Sequence, residues 1–290
     1  MIAWMRMTET PYKRQGKYLV SKVHVTGNLN DAVNQSVSLI GGFEQIISPD
    51  DIVTIKPNLN TADPYPASSD PLFIKALGES LLAAGVGKLK IIDSSTLRLS
   101  TRKVAETIGL TQVAQDLDAE LIFLDEHEWV QVEFPNGKYL KKGSIGKPLL
   151  DRGKTVLAPC LKTHFLARYT GSMKLFVGWL KHSERIRMHM RHLEQKIADI
   201  ASFFSPDLIV MDARTCFITD GPASGLCSSP NLILASGDMV AIDVEGVRAI
   251  QCCNAENKLQ MNVWDVPQIK RAVEIGFGAR SDSDIEIIES

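Results

Sequence analysis

The residues best suited to chemistry lie between Pro159 and Leu180, in the stretch PCLKTHFLARYTGSMKLFVGWL. Here Lys162, His164, Arg168 and Lys174 stand beside Gly171 and Gly178 among otherwise apolar side chains. Basic groups next to glycine turns suit an anion, because backbone N–H groups can approach it where no Cβ intervenes. The competing reading is a plain loop with solvated lysines. It is the weaker one, since cations set among Phe165, Leu166, Leu175, Phe176 and Trp179 are costly to bury without a partner. His164 is the candidate general acid/base, an imidazole being tunable near neutral pH. Lys174, if desolvated, is a candidate base or electrostatic stabiliser.

Such groups need a frame, and the pattern of the chain supplies one. Short β-branched runs alternate with helical periodicity, which predicts an α/β fold of mostly parallel twisted sheets flanked by helices. Strands are expected at Tyr18–Val25, Asp51–Ile55, Lys88–Ile92, Glu120–Leu124, Lys154–Ala158, Asp207–Met211 and Asn231–Ala235. A hairpin is expected from Val130–Phe134 and Tyr139–Lys142 around Pro135-Asn136-Gly137. Helices are expected at 31–40, 70–84, 100–108, 193–204 and 238–250. In open α/β sheets ligands bind at the carboxyl ends of the strands. Lys56 and Asn58, Asp93 to Thr96, Lys162 to His164, Asp212, and Ser236 to Asp238 all fall at such ends. Lys56, Asn58 and Arg98 are therefore expected to orient a substrate, with Lys162 and Arg168 adding to the anion pocket. Asp93 is expected to orient His164 or bind a hydroxyl. Asp70 and Asp238 read as helix caps.

The 290 residues suffice for one large domain or two lobes, and the lobe reading places a cleft at the strand ends. Residues 1–16 read as a loose arm. Residues 17–290 read as one unit whose halves, about 17–150 and 151–290, have a boundary the sequence does not fix. Thirty-two basic against 34 acidic side chains give a formal charge of −2, with no global attraction to nucleic acid or an anionic membrane. No segment has the roughly 18 apolar residues of a membrane helix, and the first residues lack a secretion signal's apolar core. A cytoplasmic protein is expected. The five cysteines are Cys160, Cys216, Cys227, Cys252 and Cys253. Without a C-x-x-C they fit reduced thiols, and no ferredoxin-type iron–sulfur motif is present. Cys252 and Cys253 read as packed helix residues. His189 and His192 lie three apart, and two histidines with no third donor make a weak metal signal. No Walker A or G-x-G-x-x-G motif supports nucleotide use.

The succession IKPNLN (55–60), SSDP (68–71), IIDSS (91–95), LKTHFLARYTGSMKLFVG (161–178), GP (221–222) and ASGDMVAIDVEG (235–246) resembles the domain-of-unknown-function 362 family. That resemblance implies a fold but no reaction. Its members are often fused to ferredoxin modules, which implies a separate iron–sulfur redox partner for a chain without one. More distantly, His164 to His189 resembles the core of the nickel-pincer lactate racemase family. This likeness implies Lys174 as a covalent anchor for a pincer cofactor, His164 as an acid/base residue and His189 as a nickel ligand, with a one-residue gap between Lys174 and His189. The racemase's second acid/base His is matched by Leu97, which cannot exchange a proton. Two-sided racemisation of lactate is therefore not expected.

Three functions follow as expectations. The first is an enzyme acting on a small anionic metabolite or cofactor in an interlobe cleft, by redox or isomerase-like chemistry. The second is an iron–sulfur-associated redox accessory or cofactor-delivery protein, in which Cys160 would ionise readily in its basic setting. The third is a non-catalytic binder of small molecules. An oligomer is left open.

Overall fold

The computed structural model describes residues 9–96 and 98–290. The first part of the chain forms β1 (Lys13–Arg14), β2 (Lys17–His24), α1 (Leu29–Ile40), β3 (Ile52–Lys56), α2 (Pro71–Ala83), β4 (Lys88–Asp93), α3 (Thr101–Ile108), α4 (Leu110–Asp116) and β5 (Glu120–Phe123). The middle forms β6 (Trp129–Glu133), β7 (Lys142–Gly146), β8 (Lys154–Leu157), β9 (Lys162–His164), β10 (Arg168–Thr170), α5 (Ser172–Leu175), α6 (His182–Met188) and α7 (Leu193–Ala201). The last part forms β11 (Leu208–Ala213), β12 (Cys216–Phe217), β13 (Cys227–Ser228), β14 (Leu232–Ser236), α8 (Met239–Gln251), α9 (Pro267–Ile275) and β15 (Ile285–Glu289).

One nine-stranded sheet runs β1-β2-β14-β11-β8-β3-β4-β5, with β15 also paired to β2. The run β11-β8-β3-β4-β5 is parallel throughout. Its strands are short apolar runs covered on both faces, as parallel sheets require. Side chains alternate between the faces: Leu208 and Val210 join the core under α1, α2, α3 and α4, while Ile209 and Met211 join the core under α7, α8 and α9. The mostly parallel α/β sheet anticipated from the sequence is thus present. β14 and the two-residue β1 are the exceptions, β14 running antiparallel to both β11 and β2 and β1 antiparallel to β2. Strands from both sides of residue 150 share this sheet, and β8 sits between β3 and β11.

Local signals explain the helix starts. Asp70 Oδ1 accepts from Leu72 N at 2.9 Å, with Pro71 in the first turn of α2. Asp238 Oδ1 accepts from Ala241 N at 2.8 Å and opens α8. Two expectations need correction. Residues 9–16 are not loose: Lys13–Arg14 pairs with β2, and buried Tyr12 donates its hydroxyl to Gly42 O at 3.0 Å. The hairpin also has a longer loop than expected, because Glu133 pairs with Lys142 and β7 runs on to Gly146. The reason lies on α7, where Asp199 Oδ2 accepts from Tyr139 N at 2.6 Å and Leu140 N at 2.9 Å. Those amides are thereby withdrawn from a strand ladder.

Candidate active site

Beyond the carboxyl ends of β3 and β4, the β9–β10 ribbon, α5 and α6 enclose a cavity of about 410 Å³. It is lined by Lys56, Asn58, Asp93, Lys162, His164 and Lys174 from the expected set, together with His189. Six of the nine expected site positions are therefore brought together at strand ends and turns, and a seventh reaches them from the end of α6. Arg98 and Arg168 are not among the lining residues. Arg98 is exposed, and Arg168 is held by Glu194 with Nη1–O distances of 2.7 and 2.5 Å. Neither lines this cavity, contrary to expectation. Leu97, where the racemase pattern has its second His, lies outside the described residues.

Asp93 has a structural task. Its Oδ1 accepts from Lys56 Nζ at 2.6 Å and Ser94 N at 2.8 Å, and its Oδ2 accepts from Leu59 N at 2.9 Å. It therefore has little capacity left to orient His164, which corrects the role expected for it. Lys56 is almost wholly buried, and burial lowers its pKa against the opposing pull of Asp93. A Cβ on Gly178 would lie 2.6 Å from Asp93 Oδ1 and 3.0 Å from Lys56 Nζ, so only glycine lets that strap cross the pair.

The other cations have no such carboxylate. Lys162 Nζ donates to Pro66 O and Ala67 O, each at 2.7 Å, and burial brings its pKa down to about 8. Arg185 donates to Leu180 O at 2.8 Å, to Ser94 O at 3.2 Å and to Ser95 O at 2.8 Å, and further to Ser94 Oγ and Gly178 O. All its partners are neutral, and burial lowers it to about 10. Lys174 has no hydrogen-bond or ion-pair partner for its ammonium among the described residues. Burial first, then Lys162 and Arg185, bring it to about 7.

Lys174 is placed by α8. Asp243 accepts from Ser172 N at 2.6 Å, Met173 N at 3.2 Å and Tyr169 Oη at 3.0 Å, fixing the turn before the lysine. Asp243 itself is pushed up to about 6 by burial, with those donors opposing. A Cβ on Gly171 would stand 2.5 Å from its Oδ1.

The two imidazoles face the cavity in opposite states. His164 Nδ1 accepts from Leu166 N and Ala167 N, both at 3.1 Å, so the proton of the neutral ring is on Nε2. Burial, helped by Lys174, keeps its pKa far below the usual range. This corrects the expected acid/base assignment: the ring is a fixed neutral donor. His189 Nδ1 lies 2.6 Å from Arg185 O, which can only accept, so His189 Nε2 carries a lone pair. Burial lowers this ring too. His189 is thus the better proton acceptor. It is not part of a metal cluster: no three His, Cys, Asp or Glu side chains are placed to hold an ion among the described residues. The racemase likeness asks for less than such a cluster, one lysine anchor and one histidine ligand, and Lys174 and His189 Nε2 are the groups in the cavity lining that would supply them.

Sequence reasoning missed Arg185, Thr170, His182 and Asp243. Arg185 stood in plain view in KHSERIRMHMRH, four residues before His189 and so on the same helical face. Thr170 Oγ1 and His182 Nε2 line the cavity region buried and without a hydrogen-bond partner among the described residues. Cys160 is a correction as well. Burial raises its thiol to about 11 and outweighs Lys162, so it does not ionise readily. Cys252 is exposed rather than packed.

An α/β protein with an uncompensated cationic cavity at its strand ends is the class this geometry defines. The chain belongs to the family described as "Domain of unknown function (DUF362)", whose model matches residues 53–248. Every residue lining the cavity falls within that range. A thylakoid-associated protein of Synechocystis sp. is 26% identical over 239 residues, covering 78% of this chain and 71% of the relative. Among solved structures, a Thermotoga maritima protein matches with a TM-score of 0.47 and 10% identity, over 77% of this chain and 56% of that one. The lactate racemase apoprotein of Thermoanaerobacterium thermosaccharolyticum matches with a TM-score of 0.43 and 13% identity, over 82% and 58%. The chain spans a little over half the length of these two structures. No helix among the described residues is long and apolar enough to cross a membrane.

Proposed function

We propose that this protein is an enzyme that binds a small anionic metabolite in the cavity and moves a proton on it, in isomerase-like chemistry. One observation carries the reading: Lys56, Lys162, Lys174 and Arg185 line the cavity against the single carboxylate of Asp93. Four cations less one anion leave three positive charges in a largely buried space, and an anionic ligand is what would offset them. Lys162, Lys174 and Arg185 hold the anionic group. His189, whose Nε2 lone pair is free in the cavity lining, is the group placed to take a proton next to a carbonyl, while the bound anion keeps Lys174 charged. The C–H bond breaks, its proton goes to His189 Nε2, and its electron pair passes to the carbonyl oxygen. His164 Nε2–H donates to that oxygen as charge develops. Return of that proton from His189 Nε2 completes the transfer.

The iron–sulfur accessory reading draws no support from Cys160, which stays a thiol. The five cysteines, none in a disulfide, favour a reducing, cytoplasmic setting. The test is a thermal-shift panel of hydroxy acids, oxo acids and phosphate esters, followed by NMR detection of solvent deuterium entering the hits. Stabilisation with exchange that is lost in His189→Gln supports the enzyme. Stabilisation without exchange identifies a non-catalytic binder, and no stabilisation by any anion overturns the reading.

A further inference from the structure

The cavity changes character toward its opening. Lys56 and Lys162 are each 1% exposed, whereas Phe165 and Ile186, which line the same cavity, are each 52% exposed. Two chain neighbours of these side chains are exposed as well. Leu166, next to Phe165 at the β9–β10 turn, is 45% exposed, and Met190, four residues after Ile186, is 74% exposed. Phe165 is fixed rather than incidental to this rim. Its ring stacks on His164 with centroids 5.3 Å apart, and its carbonyl accepts from Lys258 Nζ at 2.6 Å. Exposed large apolar side chains scattered singly need no explanation, but two in the lining of one cavity, each with an exposed apolar neighbour in the chain, mark a binding surface. The nearby carboxylates Asp220 and Glu256 line a separate groove that Phe165 shares with Arg168 and Lys258.

Building on the anion-binding reading above, we infer that the ligand is an amphipathic anion. Its charged group sits among Lys162, Lys174 and Arg185. Its aliphatic part lies over Phe165 and Ile186 and leaves toward Leu166 and Met190. A purely polar metabolite would leave this rim unused. A bare hydrocarbon would leave the three cations uncompensated. The ligand that satisfies both ends has a carboxylate or phosphate head and a chain of several carbons.

Titration calorimetry with n-alkyl phosphates from methyl to hexyl, below their aggregation concentrations, tests this. Full burial of a methylene tightens binding about fourfold, so a half-exposed rim gives about twofold per carbon and about 16-fold from ethyl to hexyl. Phe165→Ser with Ile186→Ser is expected to bring the hexyl-to-ethyl ratio toward one. Met190→Ser, at a side chain too exposed to matter for folding, is expected to lower that ratio partially. Lys174→Met is expected to weaken every member of the series alike. Sedimentation with phosphatidylglycerol vesicles, competed by hexyl phosphate, separates a membrane-presented head group from a free amphiphile. If methyl phosphate binds and hexyl phosphate binds no tighter, the amphipathic inference is overturned while the anion site stands. If no member binds, the anion site itself is lost.

Discussion

Anion binding should be strongly pH-dependent, and the structure sets both its sign and its size. In the free protein Lys174 and Lys162 titrate near 7 and 8 because burial opposes their charge. An anion seated beside them restores favourable surroundings for that charge and raises both values, so binding takes up protons. Affinity is therefore greatest at low pH and falls as pH rises through 7 and then 8. Between pH 6.5 and 8.5 the protonated fraction of a group at 7 drops about 25-fold, and that of a group at 8 about fourfold. Together they predict about a hundredfold loss of affinity, close to 2.7 kcal/mol. At pH 7.5 the two sites together take up about one proton per anion bound.

Sulfate is the probe of choice, since it stays divalent across this range and contributes no titration of its own. Calorimetry in buffers of different ionisation enthalpy reads proton uptake directly. Lys174→Met should remove the steeper, lower part of the profile and leave the shallower loss centred on Lys162. An affinity that is flat from pH 6.5 to 8.5 would refute the reasoning, as would a Lys174→Met variant that keeps the full slope.

Stability should respond in related ways. A lysine whose folded pKa lies below its unfolded value destabilises the fold fully below the folded pKa, and the effect vanishes above the unfolded one. Ligand-free Lys174→Met should therefore melt higher than the parent at pH 6.5, with the gap closing toward pH 10. Asp93→Asn leaves Lys56 buried without its counter-charge and should cost about 3–5 kcal/mol in denaturant unfolding. An unchanged midpoint would contradict the structural role given to the pair. Asp243→Asn retains one acceptor oxygen for three donors, so about 1–3 kcal/mol of stability should be lost. Sulfate affinity should fall with it, and calorimetry on the folded fraction checks that Lys174 has been displaced.

The sheet was legible because its information is local. Apolar runs such as LIVM at 208–211 and caps such as Asp70 act over a few residues, where a sequence displays them. β14 shows the limit: its apolar run reads the same in either direction, and only its partners reveal that it is antiparallel. The hairpin failed for a related reason, since Asp199, sixty positions away, takes the amides that would have formed its ladder. For the site, residue types at strand ends and in the glycine-flanked turn picked out Lys56, Asn58, Lys162, His164 and Lys174, which the fold brings to one cavity. Which ring nitrogen of His164 carries the proton depends on amides two and three residues on, a matter of turn geometry that composition does not express.

The deeper difficulty is that the lysines of the cavity are alike as letters and opposite in function. Lys56 and Lys162 are equally buried, yet one is neutralised at 2.6 Å by Asp93 and the other is met only by two carbonyls. A lysine paired with a carboxylate is nearly electroneutral and does little to attract a ligand. A lysine held only by carbonyls has no counter-charge, and the fold bears the cost of burying its charge, which shows as a lowered pKa. That distinction assigns Lys56 to the frame and Lys162, Lys174 and Arg185 to the ligand. It also explains why Arg185 escaped notice, for its importance rests on the carboxylate missing from its contacts. An isolated Arg in a basic helix looks solvated. One whose five neighbours are carbonyls and a hydroxyl, in the wall of a cavity, is a charge awaiting its counterpart.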